Sequence, residues 1–332
     1  MTRRSSTWLL RWAALGATVL ALLSIVFILA PRYAWAWNVR QRLVTGLWQS
    51  VKFPFFVHDR DSHCSLQDAL LRTTPPHIRM SFIKIEQALR PIRSEGNLEQ
   101  VDTPAGPFWI PKGEQTALAE ELDEQQLDQY GSGPRGIQPG DIVLDCGANV
   151  GTLTRRALRA GASRVVAIEP APWAIECLRR NLADEIAKGS VILYPKGVWD
   201  HDDKLELTVE PGGASAAATV VLGEGGKPRF AAVVPLTTID ELVAELHLPR
   251  VDFIKMDIEG AELNALRGAV HTVERFHPRL AISMEHRKSD PDTIPALTRS
   301  LWPEYRTECG PCINLDGHLQ PTMMFGSTPA TR

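Results

Sequence analysis

The chain has 332 residues and a net charge of −3 at pH 7, with a pI near 6.3, so it has no general attraction to polyanions and no nucleic-acid partner is expected. Its 44% hydrophobic and 23% charged residues are typical of a globular protein. The length suits one α/β domain of ordinary size with roughly a hundred residues to spare, and a second full enzyme domain is not expected.

An uncharged segment from Trp12 to Ala30 predicts one membrane-spanning helix. At a rise of about 1.5 Å per residue, it reaches roughly the thickness of the hydrocarbon core of a bilayer. Aromatic residues stand at both ends, as at the two interfaces of a membrane: Trp8, Trp12, Tyr33, Trp35 and Trp37. Ala34-Trp35-Ala36 resembles a signal-peptide cleavage site, but the apolar run is longer than that of a signal peptide. We therefore predict an uncleaved anchor in residues 1–37.

The flanking charges favour a catalytic domain on the cytoplasmic side. Three basic residues precede or enter the apolar run and four follow it: Arg3, Arg4 and Arg11, then Arg32, Arg40, Arg42 and Lys52. Five cysteines in a chain of this length, three of them far apart, do not form a disulfide framework, which agrees with a reducing compartment. The prediction is a single-pass membrane protein with a cytoplasmic catalytic domain.

Residues 38–100 mix basic and aromatic side chains and predict a helix and loop near the membrane surface. A metal site is one interpretation of four residues in this region: His58, Asp59, Asp61 and His63. We favour a polar loop. A short strand in residues 103–111 then leads into the catalytic domain, for which we predict the bounds 101–332.

Regular alternation of strands and helices begins after Gly140. The predicted order is a strand at Ile142–Leu144, a glycine loop, a helix to Arg159, a strand at Arg164–Ile168 and a helix that begins at Pro172. The apolar face of this last helix contains Ile175, Leu178, Leu182 and Ile186. A strand, glycine loop, helix and strand in this order form a nucleotide-binding βαβ unit.

The glycine loop has the form D-x-G-x-x-x-G from Asp145 to Gly151, whereas a dinucleotide-binding fingerprint is G-x-G-x-x-G. An acid at the end of the strand repels a pyrophosphate, but it can pair with the cationic amino end of an amino-acid-like cofactor. Glu169, about twenty residues further along the chain than the glycine loop, is placed to bind two ribose hydroxyls. These features favour S-adenosylmethionine over NAD, and a helix-capping role for Asp145 is the alternative.

Two further strands are predicted at Val251–Met256 and Leu280–Met284, with a helix from Ala261 to Val270 between them. This alternation implies a mostly parallel sheet with helices on both faces. Titratable residues follow each strand: Asp257, Glu259 and Glu262 after the first, Glu285 and His286 after the second. Because ligands bind at the carboxyl ends of the strands in open α/β sheets, these residues predict a reaction site. Helix capping by the acids and a surface histidine are the alternatives.

Cys309-Gly310-Pro311-Cys312 has the spacing of a thioredoxin-type redox motif. Such a motif requires its first cysteine at the N-terminus of a helix, but residues 313–317 predict a strand and a turn. We therefore interpret the pair as part of a turn, without a redox or metal role.

Five segments resemble the FkbM-type methyltransferases: VLDCGANVG, AIEPAPW followed by Asn181, VVPLTTIDEL, DFIKMDIEGAELNALRGA and ISMEH. The resemblance covers roughly residues 101–320, and the KxDxEGxE block is its most specific part. The anchor lies outside this range, and the cysteine pair is not among the motifs that carry the resemblance. It implies a Rossmann-like α/β fold with a seven-stranded, mostly parallel sheet. It also implies S-adenosylmethionine as methyl donor and O-methylation of a hydroxyl on a sugar, polyketide or similar molecule.

The loops and the resemblance together predict the site residues. The cofactor-binding set is Asp145, Gly147, Asn149, Gly151, Glu169 and Pro170, and the reaction-site set is Lys255, Asp257, Glu259 and His286, with Glu262 and Glu285 towards the substrate. A hydroxyl needs a base, for which Asp257 is the first candidate and His286 the second. Lys255 would orient a substrate oxygen or lower the pKa of a neighbouring acid. Nothing in the sequence requires a metal, although Asp257, Glu259 and Glu285 could hold one.

The sequence thus predicts an S-adenosylmethionine-dependent methyltransferase that acts on a hydroxyl of a glycan, lipid-linked or other small-molecule acceptor. One alternative is a membrane-bound oxidoreductase that uses NAD or the Cys309/Cys312 pair, and the missing middle glycine opposes it. The other is an inactive binding module with the same fold, and the acids at Asp145 and Asp257 oppose it.

Overall fold

The computed structural model describes residues 63–64, 80–209, 230–315 and 318–328. The predicted anchor, and most of the predicted membrane-proximal region, lie outside these residues. Among the helices within the described ranges, none combines the length and apolar character that a bilayer span requires.

The first continuous described segment folds into two helices and a three-stranded antiparallel sheet: α1 (Met80–Ala88), β1 (Arg90–Glu95), β2 (Leu98–Asp102), β3 (Phe108–Pro111) and α2 (Gln115–Gln126). Phe82 of α1, Phe108 of β3 and Leu118 of α2 share one buried apolar cluster. The cluster continues to Val150 and Cys177 of the main domain, which seats α2 beside the glycine loop. The predicted domain boundary at residue 101 falls inside β2.

The remaining described elements are, in chain order, a 3₁₀ turn (Gly133–Arg135), β4 (Ile142–Cys146), α3 (Thr152–Arg159), β5 (Arg164–Ile168), α4 (Pro172–Asn181), α5 (Ala183–Ala187), β6 (Val191–Tyr194), β7 (Gly197–Val198), β8 (Asp203–Val209), β9 (Phe230–Thr237), α6 (Ile239–Glu245), β10 (Phe253–Met256), α7 (Glu262–Arg267), α8 (Val270–Phe276), β11 (Arg279–Ser283), α9 (Asp290–Leu301), β12 (Arg306–Cys309), β13 (Cys312–Leu315), β14 (His318–Pro321) and β15 (Met323–Ser327).

A seven-stranded sheet with the order β12-β15-β11-β10-β4-β5-β6 forms the centre of the domain. The five strands from β11 to β6 are parallel, and β15 runs antiparallel to β11 and β12. Every residue of β4 and β10 is buried, as expected for parallel strands that are covered on both faces. The predicted mostly parallel, seven-stranded α/β sheet is confirmed.

Two predicted helices are each divided in the structure. The helix that begins at Pro172 ends at Asn181, and a separate short helix, α5, follows. At this break the side chain of Asn181 forms hydrogen bonds with the backbone of Trp109 in β3 and of Val150 in the glycine loop. The predicted Ala261–Val270 helix is interrupted near Gly268, where an added Cβ would lie 2.1 Å from the Trp199 carbonyl oxygen. Apolar periodicity continues across both breaks, so it does not show them.

The adjacency of β4 and β10 brings the loops that follow these strands into contact. Gly147, in the loop after β4, has a φ of +77°, and an added Cβ would lie 2.0 Å from the carbonyl oxygen of Asp257. Only glycine permits this close approach. The backbone of the glycine loop therefore lies directly against the backbone of the first predicted catalytic residue.

The structure contains a disulfide between Cys64 and Cys312, with Cα atoms 6.1 Å apart and a sequence separation of 248. The prediction that the cysteines do not pair is wrong for these two, because distance along the chain says nothing about proximity in the fold. The strand predicted after Cys312 is confirmed as β13, which pairs antiparallel with β14, and the predicted turn falls on residues 316–317, outside the described part of the chain. Disulfides persist mainly in oxidising compartments, so this bond opposes the argument for a reducing one.

Gly147→Ala should lower the free energy of unfolding by about 3 kcal/mol or more, because the new Cβ overlaps a backbone oxygen and stands at a positive φ. Gly189→Ala is the matched control. Gly189 has a φ of +74° but no atom within 4 Å of an added Cβ, so it should cost only about 1–2 kcal/mol. Chemical denaturation of both variants checks this, and equal losses would contradict the close approach.

Candidate active site

Two cavities open at the carboxyl edge of the parallel strands. The first is called the apolar cavity because much of its lining is apolar: Ile168, Pro170, Val198, Trp199, Leu205, Leu207 and Leu236. The second is called the acidic cavity after Glu121, Glu124, Asp257, Glu259 and Glu285. Gly147, Asn149, Asp257 and Glu259 line both. A ligand in one cavity would therefore meet a ligand in the other beside Asp257.

Glu169 supplies a buried carboxylate to the wall of the apolar cavity. Its Oε2 accepts a hydrogen bond from the backbone N–H of Asn149 at 3.0 Å, and its Oε1 accepts one from Ala171 at 2.9 Å. Burial raises the pKa of Glu169, although these two hydrogen bonds oppose the shift. Each carboxylate oxygen can accept a further bond, so Glu169 both shapes the glycine loop and retains capacity for hydroxyl donors.

Asp145 and Gly151 line neither cavity. Asp145 is fully buried below the glycine loop, where its Oδ2 accepts a hydrogen bond from Thr154 Oγ1 at 2.6 Å. Burial raises its pKa, against the lowering effect of Lys255. Gly151 precedes α3 at a φ of +93° and packs on Leu178 and Leu182. Both residues therefore support the conformation of the glycine loop without lining a cavity. Contact of Asp145 with a cofactor stays a prediction.

Lys255 connects the glycine loop to the acidic cavity. Its Nζ donates a hydrogen bond to the carbonyl oxygen of Gly147 at 2.7 Å and lies 3.5 Å from Asp145 Oδ1. Burial lowers the pKa of Lys255, but the carboxylates of Asp145 and Asp257 outweigh it and the net shift is upward. The ammonium thus stays charged and holds the loop.

Three residues of the acidic cavity were not predicted from the sequence: Glu121, Glu124 and Tyr130. The Tyr130 hydroxyl lies 2.7 Å from Asp257 Oδ2 and 3.2 Å from Glu124 Oε2. Glu121 accepts hydrogen bonds from Asn149 and Thr152. The only sequence signal was the i, i+3 spacing of two glutamates on a helix, which is also common on solvated faces.

His286 lies among three carboxylates. Its Nδ1 is 2.9 Å from Glu262 Oε1, and its Nε2 is 3.7 Å from Asp257 Oδ1 and 3.6 Å from Glu259 Oε2. Burial lowers the pKa of His286, but these acids outweigh burial and raise it to about 10. The imidazole is then protonated at neutral pH, so His286 is a poor proton acceptor in this state.

Burial is also the main cause of the raised pKa of three acids in the acidic cavity. The pKa is about 7 for Glu121, for Glu259 and for Glu285. Glu259 has a positive φ of +56° ahead of Gly260 and lines the cavity. Glu262 is 1% exposed, and its Oε1 accepts a hydrogen bond from the backbone N–H of Ile258 at 2.8 Å. The structure therefore brings the predicted reaction-site residues together.

Comparison with known proteins gives a match to the model of a protein family described as the methyltransferase FkbM domain, over residues 145–310. This range is half of the chain. It begins at Asp145 and includes Glu169, Lys255, Asp257, Glu262 and His286, which all belong to the site described above.

Two relatives and one solved structure illustrate the similarity. The hexuronic acid methyltransferase AglP of Haloferax volcanii is 25% identical over 186 residues, 56% of this chain and 68% of AglP. Methyltransferase sdnD of Sordaria araneosa is 29% identical over 155 residues, 38% of this chain and 60% of sdnD. The crystal structure of methyltransferase FkbM from Methylobacillus flagellatus is 18% identical with a TM-score of 0.44, and the match covers 74% of this chain and 58% of that one. The chain thus spans about three fifths of the last two proteins.

The raised pKa of Glu121 makes stability depend on pH. The pKa of Glu121 is about 7 in the folded state, above its ordinary value of 4.5, so the folded state binds the proton more tightly than the unfolded state does. The stability that this difference contributes is fully present below pH 4.5 and is lost as the pH rises through 7. The free energy of unfolding should therefore fall between about pH 5 and pH 8, and Glu121→Gln should flatten the fall by roughly 1–3 kcal/mol. Denaturation at several pH values measures this. Glu86→Gln, at an exposed position of α1, is the control, and equal slopes in wild type and Glu121→Gln would contradict the assignment.

Proposed function

Since the chain belongs to the FkbM methyltransferase family, we propose that it transfers a methyl group from S-adenosylmethionine to a hydroxyl group of its acceptor. The observation that carries this proposal is the meeting of the two cavities at Asp257. One cavity offers apolar walls and a buried carboxylate, as a nucleoside-containing cofactor requires. The other offers groups that can accept a proton.

The residues of the apolar cavity fit the cofactor. Glu169 has free acceptor capacity for ribose hydroxyls, and Val198 and Leu207 supply apolar surface for a base. Gly147 has no side chain, which lets the backbone of Asp257 approach it closely at the border between the cavities. The sulfonium of bound S-adenosylmethionine makes its methyl group transferable. The protein must then place the acceptor oxygen and remove one proton.

Asp257 is the proposed proton acceptor, because it borders both cavities and His286 is protonated. Tyr130 supports this role, since its hydroxyl can donate to Asp257 Oδ2 while that oxygen is charged. Once Oδ2 has taken the proton, the Tyr130 hydroxyl can turn and donate to Glu124 Oε2, which lies 3.2 Å away. The pair Tyr130 and Glu124 therefore accommodates both protonation states of Asp257.

We propose a hydroxyl of a glycan, lipid-linked or other small-molecule acceptor as the substrate. AglP, a relative of this chain, is named as a hexuronic acid methyltransferase, which supports a sugar hydroxyl. A membrane anchor in residues 12–30 would favour an acceptor in the cell envelope. Mass spectrometry of envelope glycans and lipids, with and without the active protein, would identify the acceptor by a mass difference of one methyl group.

Placement of the catalytic domain on the cytoplasmic face is also a proposal. The charges beside residues 12–30 support it, and so does cofactor supply, because S-adenosylmethionine is made in the cytosol. The disulfide between Cys64 and Cys312 opposes it.

Asp257→Asn should reduce methyl transfer by about 100-fold or more, because the amide keeps the shape and the contact with Tyr130 but cannot accept a proton. Transfer of label from S-adenosylmethionine to envelope extract of cells that lack the protein measures this. Calorimetry should give a micromolar affinity for S-adenosylmethionine in wild type and variant, and no binding of NAD. Asp184→Asn, at an exposed position of α5, should remain fully active. Undiminished transfer by Asp257→Asn would contradict the role of Asp257 as the base. Failure of the wild-type protein to bind S-adenosylmethionine would contradict the proposed function.

C-terminal reporter fusions should show a cytoplasmic catalytic domain. One reporter is active only inside the cytoplasm and the other only outside it, so each fusion to the full-length chain reports on one side of the membrane. We expect activity from the internal reporter alone. Activity from the external reporter would overturn the cytoplasmic placement and would agree with an oxidising environment for Cys64 and Cys312.

A further inference from the structure

Asp257, Glu262 and His286 form a compact cluster at the carboxyl ends of β10 and β11. One possible ligand atom from each residue lies within 4.8 Å of the others. In an octahedral site with metal–ligand bonds of about 2.1 Å, neighbouring ligand atoms are about 3 Å apart and opposite ones about 4.2 Å apart. Small side-chain movements would therefore bring all three onto one cation.

A second observation concerns Glu262, which is 1% exposed. Its Oε1 accepts a backbone hydrogen bond from Ile258, but its Oε2 has no hydrogen-bond partner within the described part of the chain. A buried carboxylate oxygen without a donor is costly. A cation that the cluster binds through Glu262 Oε2 would satisfy this oxygen.

The charges around the cluster also favour a bound cation. Four carboxylates surround one imidazole in this part of the site: Asp257, Glu259, Glu262 and Glu285. On the side of α2, Glu121 and Glu124 add two more acids to the same cavity. The ammonium of Lys255 is directed to Gly147 and Asp145. A divalent cation bound by the cluster would bring positive charge to a place where carboxylates outnumber the imidazole.

We propose that Asp257, Glu262 and His286 bind one divalent transition-metal ion. Two carboxylates and one imidazole suit Mn²⁺ or Zn²⁺ better than Ca²⁺ or Mg²⁺, which prefer oxygen ligands alone. Three protein ligands leave coordination positions open, as in catalytic metal sites. Asp257 and His286 line the acidic cavity, so an acceptor hydroxyl in that cavity can occupy an open position. This inference rests on the proposed function for the nature of the acceptor.

The cation and the proposed proton transfer use different oxygens of Asp257. Oδ1 is the oxygen that lies 3.7 Å from His286 Nε2, and it is the one available to the cation. Oδ2 is the oxygen that Tyr130 contacts, and it remains available for the proton. A cation that polarises the acceptor hydroxyl would make this proton easier to remove.

Titration of the EDTA-treated, full-length protein with Mn²⁺, followed by electron paramagnetic resonance, tests the site without any assay of activity. We expect one saturable Mn²⁺ per chain, Zn²⁺ competition for it, and pulsed spectra that show coupling to an imidazole nitrogen. Glu262→Gln and His286→Gln should weaken binding at least ten-fold. Glu274→Gln, at an exposed position of α8, should leave it unchanged.

The nitrogen coupling is read in the wild type, so the test does not depend on the folding of a variant. Absence of saturable Mn²⁺ binding, binding without nitrogen coupling, or equal affinity in folded Glu262→Gln would each overturn the proposal. Cofactor calorimetry on the same EDTA-treated sample separates this result from the proposed function. Cofactor binding and methyl transfer without metal binding would contradict the metal site and leave the methyltransferase proposal intact. Metal binding without cofactor binding would contradict the methyltransferase proposal and leave the metal site intact.

Discussion

The contact between Gly147 and the backbone of Asp257 determines the arrangement of the site. Because β4 and β10 are neighbours in the sheet, the loops after them share one edge, and the absence of a Cβ at Gly147 lets them touch. Lys255 strengthens the contact from below, with one hydrogen bond to Gly147 and a charge interaction with Asp145. The cavity on the side of β5 and the cavity on the side of β11 therefore meet at one carboxylate.

The acidic cavity is also a region of unfavourable electrostatics that the fold maintains. Burial keeps acids such as Glu121 and Glu285 from ionising at their ordinary pH, and the cations His286 and Lys255 are already paired with other carboxylates. Groups of this kind are common where a protein binds a charged ligand or moves a proton. The packing of the domain offsets this cost, since the strands and the segments packed on them together place more than twenty apolar residues in the main buried cluster.

The N-terminal helices contribute directly to this environment. α2 is held against the main domain by the apolar cluster that Phe108 and Leu118 share with Val150, and this packing places Glu121 against Asn149 and Thr152 of the glycine loop. Tyr130 follows on the same segment and reaches Asp257. Two of the acids that line the cavity, Glu121 and Glu124, therefore lie outside the family match, which begins at Asp145.

The sequence alone determined the fold class, the parallel strands and the residues at their carboxyl ends, because buried strands, glycine loops and strand-end acids leave local patterns. It placed Glu169, Lys255, Asp257, Glu262 and His286 in one site, and the structure brings these together. The tertiary structure decided what depends on packing between distant segments. It buried Asp145 behind Thr154 and Lys255, set Tyr130 beside Asp257, and joined Cys64 to Cys312. None of these contacts has a signature in sequence, since each depends on which surfaces meet after the sheet has formed.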